Sequence, residues 1–262
     1  MELWDWLLGL LHGPVGATLV ATALLAVRWL VLLTVAPLPA LGEVGTALRL
    51  GLAAALAVGA LPAALPVPLD VLEPGVAVAL AAKEALVGLA LGAVVAFLLT
   101  AFEAAGRFSD LFRGATMAEV FVGSGEASSP LGAFLLVAVL ALLAASGGLL
   151  VLIGALLRSV EAFPVAALPA RLLEPGAFVG ESLALFGRSW EVGLLLAAPV
   201  LGVSLLLDVA LGMAARVSPG FEGYFLALPL RAVLGIGALV VSLALVRPHL
   251  AVLLRATVAV LE

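Results

Sequence analysis

Between Leu131 and Leu157 the chain carries no charged residue, a run longer than the roughly 20 residues an α-helix needs to cross the hydrocarbon core of a bilayer. Such a segment cannot form the outer surface of a water-soluble domain, so its surroundings are lipid or other apolar protein. The rest of the chain agrees. Of its 262 residues 65% are hydrophobic and 11% charged, whereas a soluble domain is near half apolar and a quarter charged. A net charge of -5 with single, scattered basic residues offers no stripe to neutralise a phosphate backbone, so nucleic acid is excluded as a partner. No cysteine is present, which removes disulfides, thiolate chemistry and Cys-based metal sites. Met1, Glu2 and Asp5 stand where a signal peptide would carry basic residues, so the first helix is expected to be retained.

Proline, glycine and charge divide the chain into helices. A first apolar helix is expected from Trp6 to Val35, ended by Pro37 and Pro39, and a second from Leu41 to Leu61 before Pro62, together a hairpin. A third runs from Val76 to Phe102. Residues 103–129 interleave Arg107, Asp110, Arg113, Glu119 and Glu126 with apolar side chains, which reads as an amphipathic helix passing into a Gly/Ser loop. After the uncharged span and a polar stretch at 158–182, further helices are expected from Leu183 to Met213, interrupted by Pro199, and from Phe225 to Val246. A short tail helix follows from His249 to Leu261. The fold class is all-α: a polytopic membrane protein of broken helices and hairpins, organised as a single membrane-embedded domain over residues 1–262.

Arg28, Lys83, Glu84 and Asp208 lie within or beside apolar runs, where each charge costs about 2.5–3.5 kcal/mol unless it is partnered. Gly88 and Gly92 share a helical face at the spacing that lets two backbones approach closely, within this chain or against a neighbouring subunit. Chemistry finds little footing. His12 and His249 stand at opposite ends of the chain without carboxylates at ligand spacing, Ser109 has no base nearby, and Gly123 and Gly125 lack the Lys of a phosphate loop. No catalytic residue, metal site or cofactor is expected. An ion-coupled transporter or permease using Glu84, Glu103 and Asp208 is the alternative reading.

Glu84, Gly88, Gly92, Phe102, Ala105, Gly106, Asp110 and Gly114, then Ser129-Pro130-Leu131-Gly132, Ser146-Gly147-Gly148, Ser159 and Phe163-Pro164, resemble in order and spacing the central part of the FliR/SctT family. Arg28, Pro37 and Arg49 resemble its first hairpin, and Leu211-Gly212, Arg216, Pro219 and Pro229-Leu230-Arg231 its C-terminal part. Two departures stand out. Gly220, Phe221, Glu222 and Tyr224 replace the family's amide-containing run after the proline. Val122-Gly123 and Ser124-Gly125-Glu126, with Ser-Pro-Leu-Gly, are more similar to the virulence branch than to the flagellar one.

The resemblance implies a non-enzymatic subunit of the type III secretion export apparatus in the bacterial inner membrane. It implies a helical ring around the secretion pore, completed with SctR/FliP-like and SctS/FliQ-like subunits and adjoining an SctU/FlhB-like switch protein. Secreted unfolded polypeptides pass through it, and lipid surrounds it. In such a ring Arg28, Glu84 and Asp208 would pair between subunits. Met117, Val120 and Phe121 would form an apolar plug, with Gly114, Gly123 and Gly125 as the hinges of the loop that carries it.

Overall fold

The computed structural model describes residues 13–37, 46–65, 71, 73–114, 129–166, 175–217 and 223–261. Among these it is helical throughout, without strands: α1 Pro14–Val35, α2 Thr46–Ala64, α3 Pro74–Phe112, α4 Pro130–Ala145, α5 Gly148–Ala162, α6 Pro175–Val217 and α7 Gly223–Leu261. Helix is the form that apolar surroundings demand, because each backbone N–H and C=O outside the end turns finds its partner within the same segment. Five of these helices are long and apolar enough to cross a membrane, or six if the broken pair α4 and α5 is one span. The chain is an all-α, polytopic membrane protein.

Proline has two main places among the described residues, the start of a helix and its interior. Pro14, Pro74, Pro130 and Pro175 each open a helix, where the missing N–H would have had no partner anyway. At the end of α1, Ala36 turns extended (φ -65, ψ 127), as a residue before a proline must. Elsewhere the expected breaks are absent. Pro62, Pro199 and Pro248 lie inside helices, so α6 is not interrupted and the tail helix is the continuation of α7, which also contains Pro229. Each such proline removes one i to i−4 hydrogen bond, which a long apolar helix survives because the turns on either side stay paired. Likewise 103–112 is the last part of α3, not a separate element, and the uncharged span is broken at Ser146 and Gly147, where Gly147 takes φ +74, a left-handed conformation that glycine adopts without a Cβ clash.

The chain forms two units, the first of residues 1–97, 147–185 and 256–262. In it α2 packs on α1 and α5. Ala17, Ala21, Leu24, Leu25, Trp29 and Leu32 form the buried stripe of α1, and α2 contributes only Ala53, Ala57 and Ala60, small side chains that suit a close helix contact. Gly88 and Gly92 of α3 lie on the backbone of α1. A Cβ on Gly88 would collide with the Arg28 carbonyl, and one on Gly92 would lie 3.1 Å from Leu32 Cα. The close approach expected from their spacing is therefore made within the chain.

The second unit comprises residues 98–146 and 186–255. Leu98, Leu99, Phe102 and Ala105 of α3 are buried there, as are Leu135, Val139 and Leu143 of α4 and Leu196 and Val200 of α6. Phe108 and Phe186 both meet Trp190, the first tilted with ring centroids 5.9 Å apart and the second edge-on at 6.0 Å. Gly106 lets the start of α4 rest on α3, since a Cβ there would strike the Leu131 backbone.

Candidate functional site

The first unit holds a buried charge cluster built from three helices. Arg28 of α1 and Glu84 of α3 have no solvent exposure, and Arg28 Nε donates to Glu84 Oε2 at 2.5 Å. Lys83 Nζ lies 2.7 Å from Glu84 Oε1, as a second ion pair to the same carboxylate. The two cations also reach past the end of α5. Arg28 Nη2 donates to the Phe163 carbonyl at 2.7 Å, and Lys83 Nζ to those of Pro164 and Val165 at 2.6 and 2.7 Å. Two positive charges thus face one carboxylate. The C-terminal end of α5, with its exposed carbonyls and negative dipole end, offsets the excess. Arg28 Nη1 is buried without a hydrogen-bond partner.

The second unit holds a polar staple. The Asp110 carboxylate, almost fully buried, accepts from Arg113 Nε and Nη2 on Oδ1 at 2.9 and 2.7 Å. Its Oδ2 accepts from Ser129 Oγ at 2.6 Å and from the Leu131 N–H at 3.0 Å. Ser129 Oγ in turn caps α4 by accepting from the Gly132 N–H at 3.0 Å. On the other side of the segment, Gly114 closes α3 with φ +77, its N–H donating to the Leu111 carbonyl at 3.1 Å. Both flanks of residues 115–128 are therefore fixed to the end of α3.

Of the site residues expected from the sequence, Arg28 and Glu84 are brought together, and each finds in this chain the partner that the resemblance places on another subunit. Asp208 pairs with Arg231 across α6 and α7. Gly114 has the left-handed backbone of a hinge or helix stop. Met117, Val120, Phe121, Gly123 and Gly125 lie outside the described residues. Three features escaped the sequence reading: the carbonyls of Phe163, Pro164 and Val165, the commitment of Lys83 to them, and the role of Asp110 as a staple. For the last, Asp110 and Ser129 were both visible as members of the resemblance, but nothing in their spacing joins them.

Glu84 is held between two cations, and the Ser109 hydroxyl is engaged by the Ala105 carbonyl, to which it donates at 2.8 Å. An open cleft in the second unit, lined by Phe112, Glu191, Leu194, Leu195, Ala198 and Leu201, lacks the converging polar groups of a small-molecule site.

The family described as "Bacterial export proteins, family 1" matches residues 19–257. Among similar proteins is the flagellar biosynthetic protein FliR of Caulobacter vibrioides, 32% identical over 61% of this chain and 62% of that protein, so that this match spans less than two thirds of the relative. The Yop proteins translocation protein T of Yersinia pestis is 29% identical over 71% of each chain. FliR of Escherichia coli is 28% identical over 84% of this chain and 83% of its own length. The similarity thus includes both flagellar biosynthetic proteins and a Yop translocation protein.

Proposed function

The chain belongs to the bacterial export proteins, family 1, and on that premise we propose that it is a non-enzymatic subunit of a type III secretion export gate in the bacterial inner membrane. The observation that carries this reading is a family match extending over residues 19–257 of 262. Working as one membrane-embedded domain, it completes a pore ring with SctR/FliP-like and SctS/FliQ-like subunits. An SctU/FlhB-like protein adjoins the ring, and unfolded polypeptides pass through it. Helices with buried charge and internal prolines support such a place, since protein neighbours tolerate what lipid does not.

Within the gate, Met117, Val120 and Phe121 act as the apolar plug, an arrangement in which a dewetted constriction excludes ions and yields to a polypeptide. Supporting this, Gly114 and the Asp110 staple fix both flanks of residues 115–128 to the end of α3. Co-expression with SctR-like and SctS-like subunits tests the proposal. One detergent-stable assembly containing all three is expected; a monodisperse chain that ignores both partners overturns it.

A further inference from the structure

The last two helices carry a matched pair of uncharged bands. In α6 no charge lies between Glu191 and Asp208, and in α7 none lies between Arg231 and Arg247. Asp208 pairs with Arg231, and a Cβ on Gly235 would lie 3.8 Å from Val200 Cγ1, so the two helices run antiparallel with their bands side by side. At a rise of about 1.5 Å per residue each band is about 22–24 Å long. That is close to the roughly 30 Å of a hydrocarbon core, and the charged side chains at the ends reach outward over the difference. The Asp208–Arg231 pair therefore marks one face of the membrane, and the level of Glu191 and Arg247 marks the other. At that second level the exposed Trp190 meets Phe108 and Phe186, as aromatic rings do where they gather at a membrane surface.

The open cleft beside α6 begins at this level. Its lining runs from Glu191 through Leu194, Leu195 and Ala198 to Leu201, with Phe112 of α3 also contributing, and the α6 positions follow one helical face. From Glu191 to Leu201 the helix rises about 15 Å, half of the hydrocarbon core and so the depth of one leaflet. The three leucines are exposed. At the mouth, Arg188 lies one turn from Glu191 on the same face. Both are exposed, and among the described residues neither is joined to another by an ion pair or a side-chain hydrogen bond. An apolar slot one leaflet deep, with an acidic and a basic group at the membrane surface, is complementary to a lipid whose headgroup carries both charges. We infer that the cleft holds one acyl chain of phosphatidylethanolamine, whose primary ammonium donates to Glu191 and whose phosphate accepts from Arg188. A choline headgroup offers no N–H to the carboxylate, and a glycerol headgroup offers no cation. The site requires a membrane-embedded chain and nothing of the export gate, so its test stands apart from that reading.

The test strips the detergent-purified full chain of lipid, adds back phosphatidylethanolamine, phosphatidylcholine or phosphatidylglycerol with identical acyl chains, and counts bound lipid by native mass spectrometry. One phosphatidylethanolamine per chain is expected, held about tenfold more tightly than either of the others. Glu191→Gln should abolish that preference, and Arg188→Gln should weaken all three lipids, since the phosphate is common to them. Ala198→Trp, which fills the cleft without altering the headgroup residues, should lower retention of all three by about tenfold or more. Because Glu191 and Arg188 are exposed, their variants keep the fold and decide the matter even if the tryptophan unfolds the chain. Equal retention of the three lipids by the unsubstituted chain overturns the site. So does an ethanolamine preference that survives Glu191→Gln, or a lipid count untouched by Ala198→Trp in a chain of unchanged helicity.

Discussion

Glu84 stands between two cations that together hold three backbone carbonyls, so the effect of deleting a charge depends on which charge is deleted. Glu84→Gln leaves Arg28 and Lys83 buried without their counter-ion and should cost about 3–5 kcal/mol. Lys83→Met keeps the Arg28–Glu84 pair and strips a donor from Pro164 and Val165, at about 1–3 kcal/mol. Combined, the two substitutions should cost less than their sum, because the methionine removes one of the cations stranded by the glutamine. Thermal unfolding of the four proteins in detergent checks this order; a Lys83→Met loss equal to or larger than that of Glu84→Gln contradicts the cluster as described. Need for a partner was legible at Arg28 and Glu84 from charge in an apolar run. Which partner was not, since no periodicity links residues so far apart in the chain.

At the level of helices, glycine carries more positional meaning than proline. Gly88→Ala should separate α3 from α1, because its Cβ would meet the Arg28 carbonyl, at a cost of about 1–3 kcal/mol or more. Gly51→Ala on α2, where a Cβ meets nothing, should be neutral or stabilising by about 0.5–1 kcal/mol. Unfolding midpoints of the two variants, measured side by side, decide whether close approach or mere abundance explains these glycines. A second prediction concerns the segment after α3. Met117→Ala combined with Phe121→Ala should leave the assembled complex intact and raise its ion conductance in a planar bilayer. Failure to assemble, from a loss of about 2–5 kcal/mol per site, would instead mark both as packed core, and an intact complex with unchanged conductance removes them from the plug.

For the molecule as a whole, length, apolar content and the uncharged run at 131–157 were enough to establish an all-α membrane protein, because a chain with too few polar groups to face water must satisfy its backbone internally. Order and spacing of small and polar residues carried the family as well, since a helix presents its pattern locally. Element limits were less legible. Pro62, Pro199 and Pro248 look like stops in a one-dimensional reading, yet helix continues through them, because a proline removes one hydrogen bond while the neighbouring turns and apolar surroundings keep the rest. Pairings were beyond sequence altogether. Asp110 with Ser129 and Leu131, Lys83 with the end of α5, and Asp208 with Arg231 join positions whose separations follow no helical period. Their closeness arises where packed helices bring their ends and faces together, and the high cost of an unpaired charge in apolar surroundings then selects the partner within reach.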